Sequence, residues 1–338
     1  MFTTPAIKGI RRKFPNAHLT YLVEPHAAAL VAGNPHLDEV IVAPRAGLWA
    51  DLALAGRLRA KRFDLAIDFH GGPRASLLAW LSGAPRRLGY EVIGRSWMYT
   101  HRVARPRALR PRHSVENQWD LLAALDIPPP DPSEYPVEMA VDRAVASSID
   151  ARLATAGVMA RDQLVVIHVS AGNPFRRWPI DSFAALAATL VAGDSRRRVI
   201  LTSGPSEAEA AERVIEQARV QLSEADRSRV MSCGEFSLGE LRALVDRAAL
   251  YIGGDSGPMH VAATSAVPIV GLYGPTLPAR SAPWRPAGLI AEAVEIPDLP
   301  CRPCDQRVCA PGDFRCLTWV TPQQVIDAAE RALSRASG

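Results

Sequence analysis

The chain has 338 residues, of which 48% are hydrophobic and 22% charged, and its formal net charge at pH 7 is +4. This length favours two domains over a single core, and the composition is typical of a globular protein. No run of about 18 apolar residues is present, which argues against a transmembrane helix. The first residues, MFTTPAIKGIRRKFP, lack the apolar core of a signal peptide, so we expect a cytoplasmic protein.

Short apolar runs alternate with helical segments through the first part of the chain. HLTYLV (18–23), EVIVA (39–43) and FDLAIDF (63–69) are typical of buried strands, and the segments around them are typical of helices. Such alternation predicts a parallel sheet covered by helices on both faces.

Positive charge is concentrated in this first part. The first 135 residues contain 18 Lys or Arg and 12 Asp or Glu, and six arginines fall between 95 and 112. These arginines form either a solvated loop or a surface for an anionic partner such as a phosphorylated glycolipid. Arg95 and Arg102 are our candidates for acceptor binding. Nucleic acid is a weaker option, because no aromatic residues are interleaved for base stacking.

The segment DIPPPDPSEYP (126–136) contains five prolines and interrupts the alternation, so we interpret it as a linker. The strand–helix pattern then restarts. We predict an N-terminal domain over 1–135, a second domain over 136–320, and a last helix over 321–338 that packs back toward the N-terminal domain. The predicted fold class is α/β, with two similar units that are joined by the linker. Ligands of such sheets bind beyond the carboxyl ends of the strands.

The most informative loop is GGDSGPMH (253–260), which reads as strand, tight turn and helix. Asp255 or Ser256 can cap the helix, and the free N–H groups near Gly257 can bind phosphate. Asp255 can also accept hydrogen bonds from sugar hydroxyls. The alternative is a plain helix cap with a structural His260 in the core.

Three further loops follow predicted strands and precede helices. In HVSAGNPFRRWP, Ser170 can donate to phosphate oxygens, and Arg176 or Arg177 can neutralise them. In TSGPSEAE, Glu207 either binds ribose hydroxyls or favours the helix N-terminus. In SCGEFSLGEL, the backbone near Phe236 can meet a purine edge. Each signal is weak alone, but four such loops together suggest a site for a nucleoside diphosphate.

In this order, the segments resemble the glycosyltransferase family that contains the bacterial lipopolysaccharide heptosyltransferases, glycosyltransferase family 9. The resemblance covers nearly the whole chain. Its most specific part is D-S-G-x-x-H, and the segments that carry it are TTPAIKGIRRKFPNAHLTYLVEP, FDLAIDFHG, GAPRRLGY, FRRWP, TSGPSEAE, and GGDSGPMHVAAT followed by LYGPT.

This resemblance implies a GT-B fold of two facing Rossmann-like domains with parallel sheets. In this fold, the C-terminal domain binds a nucleotide sugar, typically ADP-heptose. The N-terminal domain would receive a lipid A–core glycolipid at the inner membrane surface. Transfer would invert the anomeric centre and require no metal or other cofactor. The family commonly has lysine where Arg176 stands, so the charge is kept but not the geometry.

Carried over residue by residue, the resemblance assigns donor binding to eight positions. Glu207 would lie near the ribose, Phe236 near adenine and Asp255 at the sugar. His260 would brace the loop. The positions for the diphosphate are Ser170, Arg176, Ser256 and Gly257.

Family members usually begin with a strand and a Gly-Asp loop that is thought to supply the catalytic base. Here Met1 already stands at the start of the following helix. We therefore expect that the sequence starts late, so that the first strand and the base lie upstream of Met1. Asp68 is the alternative base, although acceptor binding or loop capping is our preferred interpretation of it.

Four cysteines close to the C-terminus have the spacing C-x2-C-x4-C-x6-C, at Cys301, Cys304, Cys309 and Cys316. Four thiolates at such spacing can bind a structural zinc ion. The alternative, which we favour, is a set of reduced thiols, and we expect no metal at the catalytic centre.

The leading hypothesis is thus an inverting heptosyltransferase that uses an ADP-sugar donor. A GT-B transferase for another nucleotide sugar is the nearest alternative. A nucleotide-sugar-binding protein without activity is another, and a sugar-nucleotide epimerase is a third. An epimerase would alter the donor without an acceptor, whereas a binding protein would be stabilised by the donor without turnover.

Overall fold

The computed structural model describes residues 1–45, 47–104, 112–169 and 173–337. It divides into two compact units, Phe2–Ala140 and Val141–Gly338, the second together with Met1. The boundary lies a few residues beyond the predicted linker. Within the described residues, none of the helices combines the length and the apolar character needed to cross a membrane.

The N-terminal unit contains four α-helices and five strands among its described residues. The helices are α1 (Thr4–Lys13), α2 (Leu48–Ala60), α3 (Pro73–Leu81) and α4 (Ser114–Ala123). The strands are β1 (Thr20–Val23), β2 (Glu39–Val42), β3 (Leu65–Ile67), β4 (Arg86–Tyr90) and β5 (His101–Val103). All described pairings are parallel, and they form two sheets, β1–β2 and β3–β4–β5. The expectation of a strand upstream of Met1 stays a prediction.

Packing in this unit follows the apolar runs of the sequence. Leu54 and Leu58 of α2, Leu78 of α3 and Ile41 of β2 belong to one buried cluster. The two helices therefore share a core with β2.

The C-terminal unit is built on one larger sheet. Its helices are α5 (Arg143–Thr155), α6 (Ile180–Gly193), α7 (Ala208–Val220), α8 (Leu238–Val245), α9 (Gly257–Ala262), α10 (Pro278–Ser281), α11 (Arg315–Thr318) and α12 (Pro322–Ser337). Its strands are β6 (Gln163–His168), β7 (Arg197–Thr202), β8 (Val230–Met231), β9 (Leu250–Gly254), β10 (Ile269–Tyr273) and β11 (Ala291–Glu295).

The six strands are parallel in the order β11-β10-β9-β6-β7-β8. The chain runs outward from β6 through β7 to β8, and it then returns to the other side of β6 with β9. This is the doubly wound topology, and its strand order reverses between β6 and β9, where His168 lies opposite Gly253. Ligands of such sheets bind at this point, outside the carboxyl ends of the strands.

The central strands β9 and β10 are buried along their whole length, as expected for a parallel sheet covered on both faces. The helices α6, α7 and α12 cover one face and contribute to the main core. On the other face, α9 packs against β9 and β10, where the Tyr273 hydroxyl lies 3.7 Å from the Met259 sulfur.

The expectation that the last helix returns toward the N-terminal domain stays a prediction. Within the C-terminal unit, its apolar side chains fill the core, where α12 contacts α6, β9, β10 and β11. The reason is its apolar stripe, because Val325, Ala329, Ala332 and Leu333 lie on one side of the helix and are all buried.

Candidate active site

The turn from β9 to α9 lies at the point where the strand order reverses. The fully buried strand β9 ends at Gly254 and delivers Asp255 to the carboxyl edge of the sheet. Ser256 is the N-cap residue of α9 and has an extended backbone, with no hydrogen bond from its side chain to the helix. Its hydroxyl donates to the Gly254 carbonyl instead, over 3.3 Å. Gly257 is the first residue of α9.

Asp255 is a buried carboxylate held by groups from three segments. Thr276 follows β10, and its hydroxyl donates to Oδ2 of Asp255. His260 Nε2 lies 3.5 Å from Oδ1, and Arg176 Nη1 lies 3.7 Å from Oδ2. Burial alone would raise the pKa of the Asp255 carboxyl, but the hydrogen bonds from His260 and Thr276 and the charges of His260 and Arg176 outweigh it and lower the pKa. Asp255 is therefore ionised at neutral pH.

The guanidinium group of Arg176 is held through two of its nitrogens. Its Nη1 donates to the main-chain carbonyl of Asp255 over 2.8 Å, and its Nε donates to Oε1 of Gln306 over 2.9 Å. Asn173 Nδ2 donates to the same Gln306 oxygen over 2.7 Å. The guanidinium is thus oriented beside the carboxyl end of β9 before any ligand is bound, and its side chain keeps 29% of its surface exposed.

Glu207 follows β7 and is almost completely buried. Among the described residues, its Oε1 has no hydrogen-bond partner. Arg177 Nη2 lies 3.9 Å from that oxygen. A buried carboxylate oxygen without a partner is costly, so a ligand hydroxyl at this position would be bound favourably.

A cavity of about 450 Å³ lies at the carboxyl ends of β6, β7 and β9, and Arg176, Glu207 and Gly254 line it together. Aromatic side chains, Trp178 and Phe314, contribute to its wall. This volume is in the range of small-molecule sites. The structure therefore brings together residues from three of the four loops that the sequence singled out.

The other predicted donor residues have different positions. Ser170 lies outside the described residues. Phe236 lies in the loop after β8, and the Arg152 guanidinium stacks over its ring at 4.1 Å from the centroid. Phe236 is not one of the described residues that line the cavity. His260 is buried on α9 and faces Asp255, the position of a brace for the turn.

In the N-terminal unit, Asp68 is buried and engaged in hydrogen bonds. Its Oδ1 accepts from the main-chain N–H groups of His70 and Gly71, each over 2.9 Å. The Tyr99 hydroxyl donates to its Oδ2 over 2.6 Å. Burial, followed by the hydrogen bond to Asp68, raises the pKa of Tyr99. These contacts favour loop capping over base catalysis as the role of Asp68.

The two candidate acceptor arginines differ in their surroundings. Arg95 Nη2 donates to the Gly71 carbonyl over 3.2 Å, so this guanidinium lies beside the loop that Asp68 caps. Arg102 lies on β5 and is exposed. The arginines at 105, 107 and 110 lie outside the described residues.

The four clustered cysteines are free thiols that line one cavity of about 280 Å³. The Gln306 N–H donates to the Cys304 sulfur over 3.4 Å. Over the ranges that the structure describes, however, no three His, Cys, Asp or Glu side chains are grouped so that they could hold a metal ion. The thiols thus share a cavity but not a metal-binding arrangement.

Sequence reasoning did not single out Thr276, Gln306 or Arg302. The side chain of Arg302 is buried, and its Nη2 donates to the Thr276 carbonyl over 2.7 Å. Thr276 could have been identified, because LYGPT ends a strand next to β9. No pattern marks Gln306, which reaches Arg176 across 130 residues of chain.

Comparisons with known proteins identify the family. The family model for glycosyltransferase family 9 (heptosyltransferase) matches residues 52–313. The lipopolysaccharide heptosyltransferase 3 of Escherichia coli K12 is 26% identical over 296 residues, which cover 84% of this chain and 81% of that protein.

Two solved structures share the fold. A glycosyl transferase family 9 protein from Veillonella parvula DSM 2008 aligns with a TM-score of 0.84 and 26% identity over 98% of this chain and 93% of its own. The Escherichia coli ADP-heptose lps heptosyltransferase II aligns with a TM-score of 0.78 and 20% identity over 100% and 96% of the two chains. These similarities confirm the predicted α/β, GT-B fold class.

Proposed function

Because this chain belongs to glycosyltransferase family 9, we propose that it transfers heptose from ADP-heptose to the core of lipopolysaccharide, inverts the anomeric centre and needs no metal. The name of the Escherichia coli relative supports the lipopolysaccharide acceptor, and that of the heptosyltransferase II structure supports the ADP-heptose donor. Transfer on the cytoplasmic side of the inner membrane, with the enzyme at the membrane surface, is part of this proposal.

The observation that carries the proposal is the grouping of Arg176, Glu207 and Asp255 around the carboxyl ends of β6, β7 and β9. The three differ in the chemistry they offer. The cation suits a diphosphate, the buried Glu207 oxygen suits a ribose hydroxyl, and the ionised Asp255 suits the hydroxyls of the sugar. Ser170, Ser256 and Gly257 would add donors to the phosphates, and the backbone near Phe236 would meet adenine.

In the proposed reaction, a hydroxyl of the acceptor attacks the anomeric carbon from the face opposite the diphosphate. The bond between this carbon and the phosphate oxygen breaks, and its electron pair leaves with ADP. Arg176 neutralises the charge that develops on the diphosphate, and it is already oriented by Gln306 and by the Asp255 carbonyl. A base must accept the proton of the attacking hydroxyl.

On the acceptor side, we propose that Arg95 and Arg102 meet the phosphates of the glycolipid. Arg95 lies at the loop that Asp68 caps, and Arg102 is exposed on β5. Both belong to the part of the chain in which basic residues exceed acidic ones.

The test is release of nucleoside diphosphate from a panel of ADP- and UDP-sugars, with and without the lipopolysaccharide core acceptor and with a chelator. We expect acceptor-dependent ADP release from ADP-heptose that the chelator leaves unchanged. Arg176→Ala should lower kcat about 10²–10³-fold, the usual effect of removing a group that stabilises developing charge. Asp255→Ala should instead raise KM for the donor about tenfold or more, because it removes a charged acceptor for the sugar hydroxyls. Arg196→Ala, an exposed arginine of the same unit, is the matched control.

Three outcomes contradict the proposal. Preferred turnover of UDP-sugars would assign another donor. Conversion of the donor without acceptor would indicate an epimerase. A rise in melting temperature with ADP-heptose but no turnover would indicate a binding protein.

A further inference from the structure

The N-terminal unit carries a cluster of exposed large apolar side chains. Of the twelve such side chains among the described residues, seven fall between residues 48 and 97. We call this set the aromatic face. Its members, with their exposed fractions, are Leu48 (72%), Trp49 (81%), Leu52 (48%), Leu77 (37%), Trp80 (39%), Ile93 (91%) and Trp97 (54%).

The elements that carry these residues are neighbours. The starts of α2 and α3 are joined by the ion pair of Asp51 with Arg74, at 2.6 Å, and their ends meet where Arg59 approaches Gly83. The two helices therefore run side by side in one layer. Trp80 of α3 and Trp97 of the 3₁₀ turn Ser96–Met98, which follows β4, pack edge to face with ring centroids 5.3 Å apart. The aromatic face is thus one surface.

Helix α2 is apolar on two sides. Leu54 and Leu58 face the core, whereas Trp49 and Leu52, three residues apart, are exposed on another side together with Leu48. A helix with apolar residues all round is normally covered, and a large exposed apolar patch marks an interaction surface. The face therefore has the character of a surface that meets a partner.

The charges around the face identify the kind of partner. Residues 45–102 contain ten Lys or Arg and four Asp or Glu. Asp51 is paired with Arg74, Lys61 is paired with Glu39, and Asp68 is buried, so eight of the ten cations remain against Asp64 and Glu91. Exposed tryptophans on a segment with an excess of basic residues fit the interface of an anionic bilayer, where indole rings lie at the headgroup level and arginines meet lipid phosphates.

We propose that the aromatic face docks the N-terminal unit on an anionic lipid bilayer. The inference extends the proposed function, because it assigns membrane contact to particular residues of the unit that would receive a lipid-linked acceptor. A second copy of the chain is a poorer occupant. A twofold interface would place the same basic surface against itself, and the repulsion of like charges opposes such pairing.

The experiment is flotation of the purified protein with vesicles, without donor or acceptor. We expect binding to vesicles of phosphatidylethanolamine and phosphatidylglycerol, weaker binding to pure phosphatidylcholine, and a decrease with salt. The double variant Trp49→Ser, Leu52→Ser should bind at least about tenfold more weakly than the wild type, because it removes two exposed apolar side chains from the face. The matched control is Val220→Ser, Trp319→Ser, which removes exposed apolar side chains from the C-terminal unit and should bind like the wild type.

A second measurement does not depend on variants. Tryptophan fluorescence of the wild type should be quenched by brominated phosphatidylglycerol vesicles, because the exposed Trp49 and Trp97 would enter the interface. Absence of vesicle binding, or equal loss in both double variants, overturns the inference. A further contradicting result would be a wild-type protein that does not bind vesicles but sediments as a dimer, if only the Trp49→Ser, Leu52→Ser variant sediments as a monomer. ADP release with a detergent-dispersed acceptor tests the proposed function separately, so the two can fail independently.

Discussion

Gln306 is the residue whose contacts most directly link the cysteine-bearing segment to the candidate site. Its side-chain oxygen accepts hydrogen bonds from Arg176 and Asn173, and its N–H donates to Cys304. Because Arg176 has a long side chain with many rotamers, a partner on its Nε reduces the entropy that is lost when a diphosphate binds. We therefore interpret Gln306 as a positioning residue for Arg176.

We expect Gln306→Ala to raise KM for the donor about tenfold, the effect of losing one hydrogen bond to a charged group, without a change in melting temperature. The measurement is the initial rate of ADP release over a range of donor concentrations. Arg307→Ala removes an exposed neighbouring side chain and is the control. An unchanged KM in Gln306→Ala would show that Arg176 needs no such support.

Asp68 offers a second test at the scale of single residues. Its carboxylate accepts two main-chain hydrogen bonds and one from Tyr99 in a buried position. We expect Asp68→Asn to lower the free energy of unfolding by about 1–3 kcal/mol, because the amide cannot accept from every one of these donors. Turnover per folded molecule should stay within about tenfold of the wild type.

Urea denaturation and rates of ADP release measure these two effects, and Asp64→Asn, an exposed aspartate nearby, is the control. If turnover instead fell by 10²–10⁴ while stability was unchanged, Asp68 would be acting as the general base.

At the scale of elements, α12 shows how small residues determine packing. Ala328, Ala329 and Ala332 are completely buried where the helix packs beside α6 and the sheet. Alanine at these positions allows a close approach, and a larger side chain would need space that a packed core lacks.

Ala329→Leu should therefore lower the free energy of unfolding by about 1–3 kcal/mol through overpacking. Ala336→Leu, at an exposed position on the same helix, should change it little. Thermal unfolding monitored by circular dichroism compares the two. Equal stability of both variants would mean that α12 does not pack on the core as described.

The loops that follow the strands of the C-terminal sheet carry the candidate donor residues. Each candidate donor residue stands at the carboxyl end of a strand, and parallel pairing brings these ends to one edge. Asp255 and Arg176 are far apart in sequence, yet β6 and β9 are neighbours, so their following loops meet. The sequence predicted the loops individually, and the strand order decided which of them meet.

At the scale of the whole molecule, the two units differ in the quality of their cores. In the C-terminal unit, β9 and β10 are completely buried and belong to one six-stranded sheet. In the N-terminal unit, β3 is only partly buried, and the described strands form two smaller sheets. Less burial per residue means less stabilisation by the hydrophobic effect.

We accordingly expect the N-terminal unit to unfold first. Hydrogen–deuterium exchange in increasing urea should show loss of protection in β1–β5 at lower concentrations than in β6, β9 and β10. ADP should raise the midpoint of the C-terminal unit alone, because a ligand stabilises the unit that binds it. A single transition with the same midpoint in both units would contradict this expectation.

The sequence by itself determined the fold class and the family, and it singled out three residues of the candidate site. Strand–helix alternation is a local property, and the chemistry of Arg176, Glu207 and Asp255 is visible beside the strands that precede them. Only the tertiary structure decided that Gln306 and Thr276 contact these residues, that Asp68 is engaged in capping, and that α12 fills the C-terminal core. Such contacts join segments that are distant in sequence, and they depend on strand order and on which helix faces are buried. Neither is encoded in any short stretch of the chain.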